Sequence, residues 1–230
     1  WYNSNPSMGY HLNERKIEAE LGEDELDHNI QRLGYWPKYN QKSAISAKEW
    51  QDLKVKMLPI LRGPLFVGVK YGNDGANVAM SVAVKTLSGK IFVETLDCQS
   101  IRNGNQWLIN FFKEANIESV VIDGQSGQSI LTNEMKDFRL KAPVLPTVKE
   151  IINANASWEQ GIYQKNICHA GQTSLEKVVT NCDKRNIGTS GGFGYKSQFD
   201  DMDICLMDSA LLAHWACHNA KPKKKQQIRY

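Results

Sequence analysis

Several features are missing from this sequence of 230 residues, and each absence narrows what the protein can be. No apolar run approaches the roughly 18 residues that a membrane helix needs, so no membrane partner is expected. The first nine residues lack a basic region followed by an apolar stretch, so no secretory signal is expected either. The five cysteines stand singly, without a CxxC pair, which argues against a zinc site or a disulfide framework and favours a reducing cytoplasm.

Familiar catalytic motifs are missing too. Without a G-x-x-x-x-G-K-[ST] loop, the chain is not expected to be an ATPase by itself. It has no HExxH or G-x-S-x-G pattern. His214 and His218 lie four residues apart and could bind a metal on a helix, but a partly buried pair beside Trp215 is the favoured interpretation. Because the sequence begins with Trp rather than Met, we expect it to be a piece of a longer protein.

Charge of one sign is also scarce overall. The chain has 28 Lys and Arg against 25 Asp and Glu, and a net charge of +3 is too small to argue for nucleic acid. Acidic residues crowd positions 14–27, whereas basic residues crowd the tail at 221–230. Such a tail can bind phosphates, although an ordinary solvated tail explains it equally well.

The first part of the chain, residues 1–62, is predicted to be a helical segment. Ser46 is followed three residues later by Glu49, which resembles a capping box for a helix that reaches residue 61. From residue 64 the pattern changes. Residues 65–69, 78–85 and 90–96 are predicted strands that form an antiparallel meander, with a hairpin turn at Ser88-Gly89.

The elements after this meander alternate between helix and strand. They are a helix around Trp107–Phe112, a strand at 119–122, a helix at 130–138, a strand at 144–145 and helices at 149–164 and 203–217. Three strands followed by helix, strand, helix, strand and helix is the order of a ribonuclease H-like fold. We therefore predict an α/β domain over residues 63–220, with a mixed five-stranded sheet flanked by helices. The Gly-rich stretch 188–194 is predicted to be a loop.

Asp123 is the first candidate site residue, since it ends an apolar strand and precedes Gly124-Gln125-Ser126-Gly127. A carboxylate at the end of a strand, with small residues after it, lies where open sheets bind ligands. The structural alternative is a cap for the next helix. The glycines favour the functional interpretation, because a cap alone would not need that clearance.

A second candidate is the acidic run Asp200-Asp201-Met202-Asp203, just before the last predicted helix. Acidic residues at a helix start also interact well with the helix dipole. Yet three carboxylates so close together repel one another unless a cation lies among them, and hard oxygen ligands suit Mg²⁺ or Mn²⁺. Asp203 is the preferred ligand, because Asp208 is expected one and a half turns deeper along the helix.

Four basic residues and one further acidic residue complete the candidate site. Lys70 and Asp74 follow the first strand, and Lys184, Arg185 and Lys196 flank the Gly-rich stretch. Lys184, Arg185 and Lys196 could follow a DNA backbone, although ordinary solvated charges are an equal alternative. Lys70 is a further candidate for nucleic-acid binding, since it could contact the scissile phosphate and stabilise its developing charge.

Taken in order, these segments resemble one known family, the C-terminal nuclease domain of the large terminase subunit of tailed phages and prophages. The resemblance covers nearly the whole chain and rests on the segments 5–9, 34–36, 65–74, 120–123 and 202–215. It implies a divalent-metal-dependent DNA endonuclease that uses Mg²⁺ or Mn²⁺ to cut concatemeric phage DNA during packaging. It also implies that residues 1–62 follow a missing ATPase domain, that double-stranded DNA, the portal protein and the small terminase subunit are partners, and that the protein acts in the host bacterial cytoplasm.

The family pattern consists of an Asp on the first strand, an acid ending the fourth strand and an Asp at the start of the last helix. By this resemblance Asp123 and Asp203 are the catalytic residues, with Asp74 and Asp201 as further metal ligands. Lys70 departs from the pattern, because it stands at the position of the first Asp. That departure keeps two alternatives open: a non-catalytic ribonuclease H-like domain that docks DNA or the portal, and a nuclease of the resolvase or transposase type.

Overall fold

The computed structural model describes residues 43–72, 75–188 and 191–220. The strands in these ranges are β1 (Leu61–Tyr71), β2 (Asn77–Thr86), β3 (Ile91–Ser100), β4 (Ile117–Asp123), β5 (Ile167–Cys168), β6 (Cys182–Ile187) and β7 (Gly192–Ser197). The α-helices are α1 (Ala47–Gln51), α2 (Gln106–Glu114), α3 (Gln128–Asp137), α4 (Val148–Tyr163), α5 (Thr173–Val179) and α6 (Cys205–Asn219). The helices predicted before residue 43, Asp74 and the basic tail at 221–230 lie outside the described residues.

The central sheet confirms the predicted fold class. Its strand order is β4-β1-β2-β3-β5, with β2 antiparallel to both β1 and β3 and with β4 parallel to β1. The β2–β3 hairpin turns at Gly89, whose φ of 87° lies in the left-handed region that glycine adopts without steric cost. The sheet is mixed and five-stranded, as the sequence predicts.

The fifth strand differs from the prediction. Val144 forms one parallel bridge with Val121, in which its amide donates to the Val120 carbonyl at 2.8 Å. Pro143 and Pro146 flank Val144 and Leu145 in the sequence. Because proline has no amide hydrogen to donate to a neighbouring strand, the bridge does not extend into a strand. The fifth strand is instead β5, which pairs with β3 at the other edge of the sheet.

Helices cover both faces of the sheet because β1 is apolar on both sides. Val67, Val69 and Tyr71 pack with α2 and α3 in one core cluster. The alternate residues of β1 face α6, which belongs to a second cluster with α1, α4 and α5. No helix in the described ranges is long and apolar enough to cross a membrane.

Residues from Ser43 onward form one compact unit, and the predicted domain boundary after residue 62 stays a prediction. Within this unit Trp50 of α1 is fully buried, and its ring centroid lies 5.9 Å from that of Trp158 on α4. The predicted capping box is present at its start, since the Glu49 amide donates to the Ser46 hydroxyl oxygen. The helix ends at Gln51 rather than at residue 61 as predicted, and of the residues that follow, 56–58 and 60–62 are exposed.

The segment around the Gly-rich stretch is also more regular than predicted. Strands β6 and β7 form a separate two-stranded antiparallel sheet. Gly192 and Gly194 lie in β7, and a Cβ on Gly192 would meet the Ile152 side chain of α4 at 2.8 Å or less. The prediction of a loop is therefore wrong for the end of the stretch 188–194, which belongs to a strand.

Candidate active site at the carboxyl end of the central strand

Lys70 occupies the centre of the candidate site. The parallel pairing of β1 with β4 places Lys70 in register with Asp123, the last residue of β4. Its Nζ lies 2.5 Å from Asp123 Oδ2, and its side chain is only 10% exposed. Two predicted site residues are thus brought together by sheet register alone.

Asp208 is the third charged residue next to Lys70 and Asp123, and it is not one of the ligands predicted from the sequence. Its Oδ2 lies 3.8 Å from Lys70 Nζ. The sequence predicts a helix that starts at Asp203, which would place Asp208 one and a half turns along it. In the structure α6 begins at Cys205, so Asp208 lies in its first turn. One signal in the sequence could have found it: Asp208 is the lone acidic residue within an otherwise apolar stretch, and a carboxylate among core residues needs a partner.

Gly68 allows α6 to carry Asp208 so close to the strand. A Cβ at this position would lie 2.6 Å from the Ala213 amide nitrogen and closer still to the Ser209 carbonyl oxygen. The helix backbone therefore touches the β1 backbone two residues before Lys70. A hydrogen bond of 2.6 Å between Ser209 Oγ and Ser81 Oγ of β2 fixes the same contact.

The charges in this group influence one another. Burial lowers the pKa of Lys70, but Asp208 and Asp123 raise it by more, so its pKa lies above the ordinary value. Burial raises the pKa of Asp208 to about 6, against the opposing effect of Lys70. At neutral pH the site holds one ammonium between two carboxylates.

Arg185 borders this group from β6. It lines the small cavity that contains Lys70, Asp123 and Asp208, and its Nε donates to the Tyr195 carbonyl at 3.1 Å. It also lines a neighbouring cleft of about 340 Å³. Besides Lys70, Arg185 is therefore the predicted nucleic-acid-binding residue that lines the same cavity as Asp123 and Asp208.

Asp203 and Asp201 line that neighbouring cleft rather than the Lys70 cavity. Asp203 Oδ1 accepts a hydrogen bond of 2.9 Å from the Cys205 amide, which is the role of an acidic residue at a helix start. The prediction that Asp203 is a metal ligand stays a prediction. The residue that the structure places against Lys70 and Asp123 is Asp208.

The other predicted basic residues lie further out on the small sheet. Lys184 Nζ is 2.5 Å from Glu159 Oε1 and 4.5 Å from the Phe193 ring centroid, so its charge is partly neutralised. Lys196 is exposed and lines the neighbouring cleft beside Asp203.

The glycines after Asp123 make room for a core side chain, so they are not evidence for a ligand site as the sequence suggested. A Cβ on Gly124, whose φ is 108°, would meet the Tyr71 carbonyl oxygen at 2.6 Å. A Cβ on Gly127 would overlap the Tyr71 ring. Tyr71 is fully buried and donates to Asn105 Oδ1 at 2.8 Å, so the clearance holds a core side chain rather than a ligand.

Of the histidine pair on α6, His214 is buried and His218 is exposed. The rings of His214 and His218 stack with centroids 5.8 Å apart, and His214 meets Trp158 edge-on. Burial, with a smaller effect of His218, lowers the pKa of His214 to about 3. Among the described residues, no group of three or more His, Cys, Asp or Glu side chains could hold a metal ion.

Comparison with known proteins supports the fold. No protein-family model matches the chain, and no curated protein sequence matches it. The large terminase of bacteriophage HK97 has a similar structure, with a TM-score of 0.60 at 14% identity over 94% of this chain and 53% of that protein. This chain thus spans about half the length of the HK97 protein.

Two structures of one nuclease domain agree with that match. The large terminase nuclease of thermophilic phage G20c gives a TM-score of 0.53 at 13% identity, over 77% of this chain and 98% of that one. The same nuclease with bound magnesium gives 0.51 at 15% identity, over 75% and 97%. The resemblance seen in the sequence is confirmed at the level of fold: this chain has the fold of the large-terminase nuclease domains.

Proposed function

We propose that this chain is a DNA endonuclease of the large-terminase type that hydrolyses phosphodiesters with the help of a divalent cation. One observation carries the proposal. Asp123 lies at the end of a parallel strand, and Asp208 lies in the first turn of the last helix. Both carboxylates lie next to the Lys70 ammonium at the carboxyl edge of the central sheet. Open α/β sheets bind their ligands at this edge.

The donor set fits one divalent ion. Mg²⁺ is commonly held by one or two carboxylates, with water and substrate phosphates completing its shell. Asp123 and Asp208 supply two carboxylates around the Lys70 ammonium, and this arrangement supports the proposal that they share a cation. Asp203 and Asp201 remain candidate ligands in the neighbouring cleft, and Asp74 lies outside the described residues.

A bound Mg²⁺ or Mn²⁺ would supply positive charge to the phosphoryl group and lower the pKa of water. The chain's own residues do the rest. Asp123 and Asp208 fix the position of positive charge, while Lys70 balances their negative charge and has an N–H left to donate to a phosphate oxygen. Attack by a water oxygen on phosphorus breaks the ester bond on the opposite side, and the leaving oxygen takes a proton.

We propose that DNA reaches these carboxylates along the small sheet of β6 and β7. Arg185 lies between the Lys70 cavity and the neighbouring cleft, and Lys196 continues the positive charge outward. Backbone contacts of this kind position a duplex without reading its sequence.

The biological setting follows from the fold alone and is proposed with it. The substrate would be concatemeric phage DNA, cut during genome packaging in the host bacterial cytoplasm. The portal protein and the small terminase subunit would be partners, through an assembly that includes an ATPase domain.

A non-catalytic docking domain is the second candidate. It is favoured by the 2.5 Å contact between Lys70 and Asp123, because a carboxylate already neutralised by an ammonium holds a metal less tightly. Such a domain would bind duplex DNA or the portal without cutting.

The test is nicking of supercoiled plasmid DNA with Mg²⁺ or Mn²⁺, and with EDTA as the blank. We expect metal-dependent nicking that Asp123→Asn and Asp208→Asn each abolish, since each substitution keeps shape but removes a ligand charge. Asp137→Asn, at an exposed position on α3, is the matched control. Asp203→Asn separates the two assignments, because it abolishes nicking only if the neighbouring cleft holds the essential ion. Duplex binding without nicking by the wild-type protein would favour the docking domain.

A further inference from the structure

A second cleft lies at the other end of β1 from Lys70, next to the end of α6. Its volume is about 460 Å³, within the range of ligand-binding pockets. The apolar lining comes from β1, β4, α6 and the bridge residue Val144, and includes Phe66, Val121 and Trp215. We call it the basic cleft, defined by Arg62, Phe66, Lys85, Val144 and Trp215.

Positive charge surrounds this apolar lining. Arg62 and Lys85 are register partners on β1 and β2, so their side chains leave the same face of the sheet. Neither forms an ion pair with any residue that the structure describes. Lys141 lies across the cleft, 3.9 Å from Glu118 Oε1, and is partly neutralised. The net charge of the cleft is positive.

Exposed aliphatic side chains continue this surface along the same end of the sheet. Met57 is 83% exposed, Ile60 71% and Leu87 61%. The Leu87 amide donates to the Ile60 carbonyl at 2.9 Å, so these two residues are adjacent and lie next to the Arg62–Lys85 pair. Apolar groups exposed together beside a cleft are typical of a surface that another protein covers.

We propose that the basic cleft binds an acidic segment of a partner protein. A bulky apolar side chain of that segment would lie between Phe66 and Trp215, and flanking carboxylates would pair with Arg62 and Lys85. An apolar anchor surrounded by charged contacts is how protein interfaces combine affinity with orientation. DNA is disfavoured as the occupant, because phosphate binding needs cations but no apolar floor.

The experiment is selection of random linear peptides, displayed on phage, against the immobilised full chain. We expect enrichment of sequences with an aromatic or large aliphatic residue flanked by Asp or Glu. The most enriched peptide is then synthesised with a fluorescent label, and its affinity is measured by anisotropy. Enriched peptides without acidic residues would overturn the proposal, as would a failure to enrich any sequence.

Two variants locate the binding. The double substitution Arg62→Glu with Lys85→Glu should weaken the selected peptide by about tenfold or more, because attraction becomes repulsion. Lys136→Glu with Lys177→Glu makes the same charge change on exposed helix positions and should leave affinity unchanged. Ala216→Trp, which fills the cleft but keeps its cations, should also weaken binding.

Circular dichroism establishes that each variant is folded. Equal peptide affinity for the wild type and the Arg62/Lys85 variant would overturn the proposal. So would a variant that loses affinity for duplex DNA but not for peptide, since that result assigns the cleft to DNA. Plasmid nicking is independent of these outcomes, so the proposed nuclease function can fail or succeed separately.

Discussion

At the scale of single residues, Lys70 sets the charge of the candidate active site. It is nearly buried, and its ammonium lies within 2.5 Å of one carboxylate and 3.8 Å of the other. Two unit charges about 4 Å apart attract by roughly 4 kcal/mol at an effective dielectric constant near 20. That attraction is sufficient to compete with a weakly held metal ion at the same carboxylates.

Replacing this lysine tests its role directly. Lys70→Asp should create a third carboxylate, lower the thermal stability in EDTA and increase the stabilisation that Mg²⁺ or Mn²⁺ gives. Nicking should rise if Lys70 only occupies a cation site, which its 10% exposure favours. Thermal unfolding with and without metal and plasmid nicking are the measurements, with Lys136→Asp on the surface of α3 as control. Loss of nicking without any gain in metal-dependent stability would show instead that Lys70 serves the phosphate.

His214 makes the stability of the fold depend on pH. It is 1% exposed, and its pKa of about 3 lies below the value near 6.5 that it has when unfolded. As pH falls below about 6.5 the unfolded chain takes up a proton that the folded chain does not, so the free energy of unfolding decreases by about 1.4 kcal/mol per pH unit.

His214→Phe, which keeps an aromatic ring against Trp158, should remove this contribution. Between pH 7 and pH 5 the wild type should lose about 2 kcal/mol more than the variant, measured by urea unfolding at both values. His218→Gln, at the exposed end of the pair, is the control and should keep the wild-type dependence. A variant with the same pH dependence as the wild type would contradict the assignment to His214.

At the scale of elements, the contact between α6 and β1 builds the site. The helix brings Asp208 to the strand only because Gly68 has no side chain. The same contact lies under both the candidate site and the basic cleft, since α6 runs from one to the other.

Gly68→Ala should therefore damage stability and the site together. The added Cβ cannot fit without moving the helix, and overpacking of this kind costs about 1–3 kcal/mol or more. We expect a lower urea midpoint and a larger fractional loss of nicking than of folded protein. Gly89→Ala, in a hairpin turn where a Cβ meets nothing within 4 Å, should be destabilised by its positive φ alone and keep its nicking rate. An unchanged nicking rate in Gly68→Ala would show that the helix position is not critical.

The whole molecule has little net charge, so the proposed DNA binding would depend on where its positive charge lies. The net charge of +3 is small, but Arg185 and Lys196 lie on one small sheet and line the same cleft as Asp203. Each cation that contacts a phosphate releases counterions, and this makes binding strongly dependent on salt.

Arg185→Ala should weaken duplex binding at every sequence and reduce the slope of log affinity against log salt by about 1. Fluorescence anisotropy of a labelled duplex at several NaCl concentrations measures that slope. Lys136→Ala changes the net charge equally at a position away from the site and should leave the slope unaltered. A slope that does not change in Arg185→Ala would remove Arg185 from the DNA path.

By itself, the sequence determined the three-stranded meander and the residue that ends β4. Apolar runs with period two, the Ser88-Gly89 turn and the Ser46–Glu49 capping box are local signals, so they predict the meander, the hairpin and the start of α1. The end of α1 at Gln51 and the strands β5, β6 and β7 were not predicted. Asp123 could be selected for the same reason, because a strand and the residue that ends it are neighbours in the chain.

Tertiary structure decided which carboxylate faces Asp123. Asp203 and Asp208 are both plausible in sequence, and the choice depends on where α6 begins and how closely it approaches β1, which Gly68 and the two serines set across the core. The same holds for the glycines after Asp123, because their role depends on the packing of Tyr71 against them. It also holds for the end of the Gly-rich stretch, which lies in β7 and packs against α4. Contacts between residues distant in sequence follow from three-dimensional packing, and local patterns do not encode them.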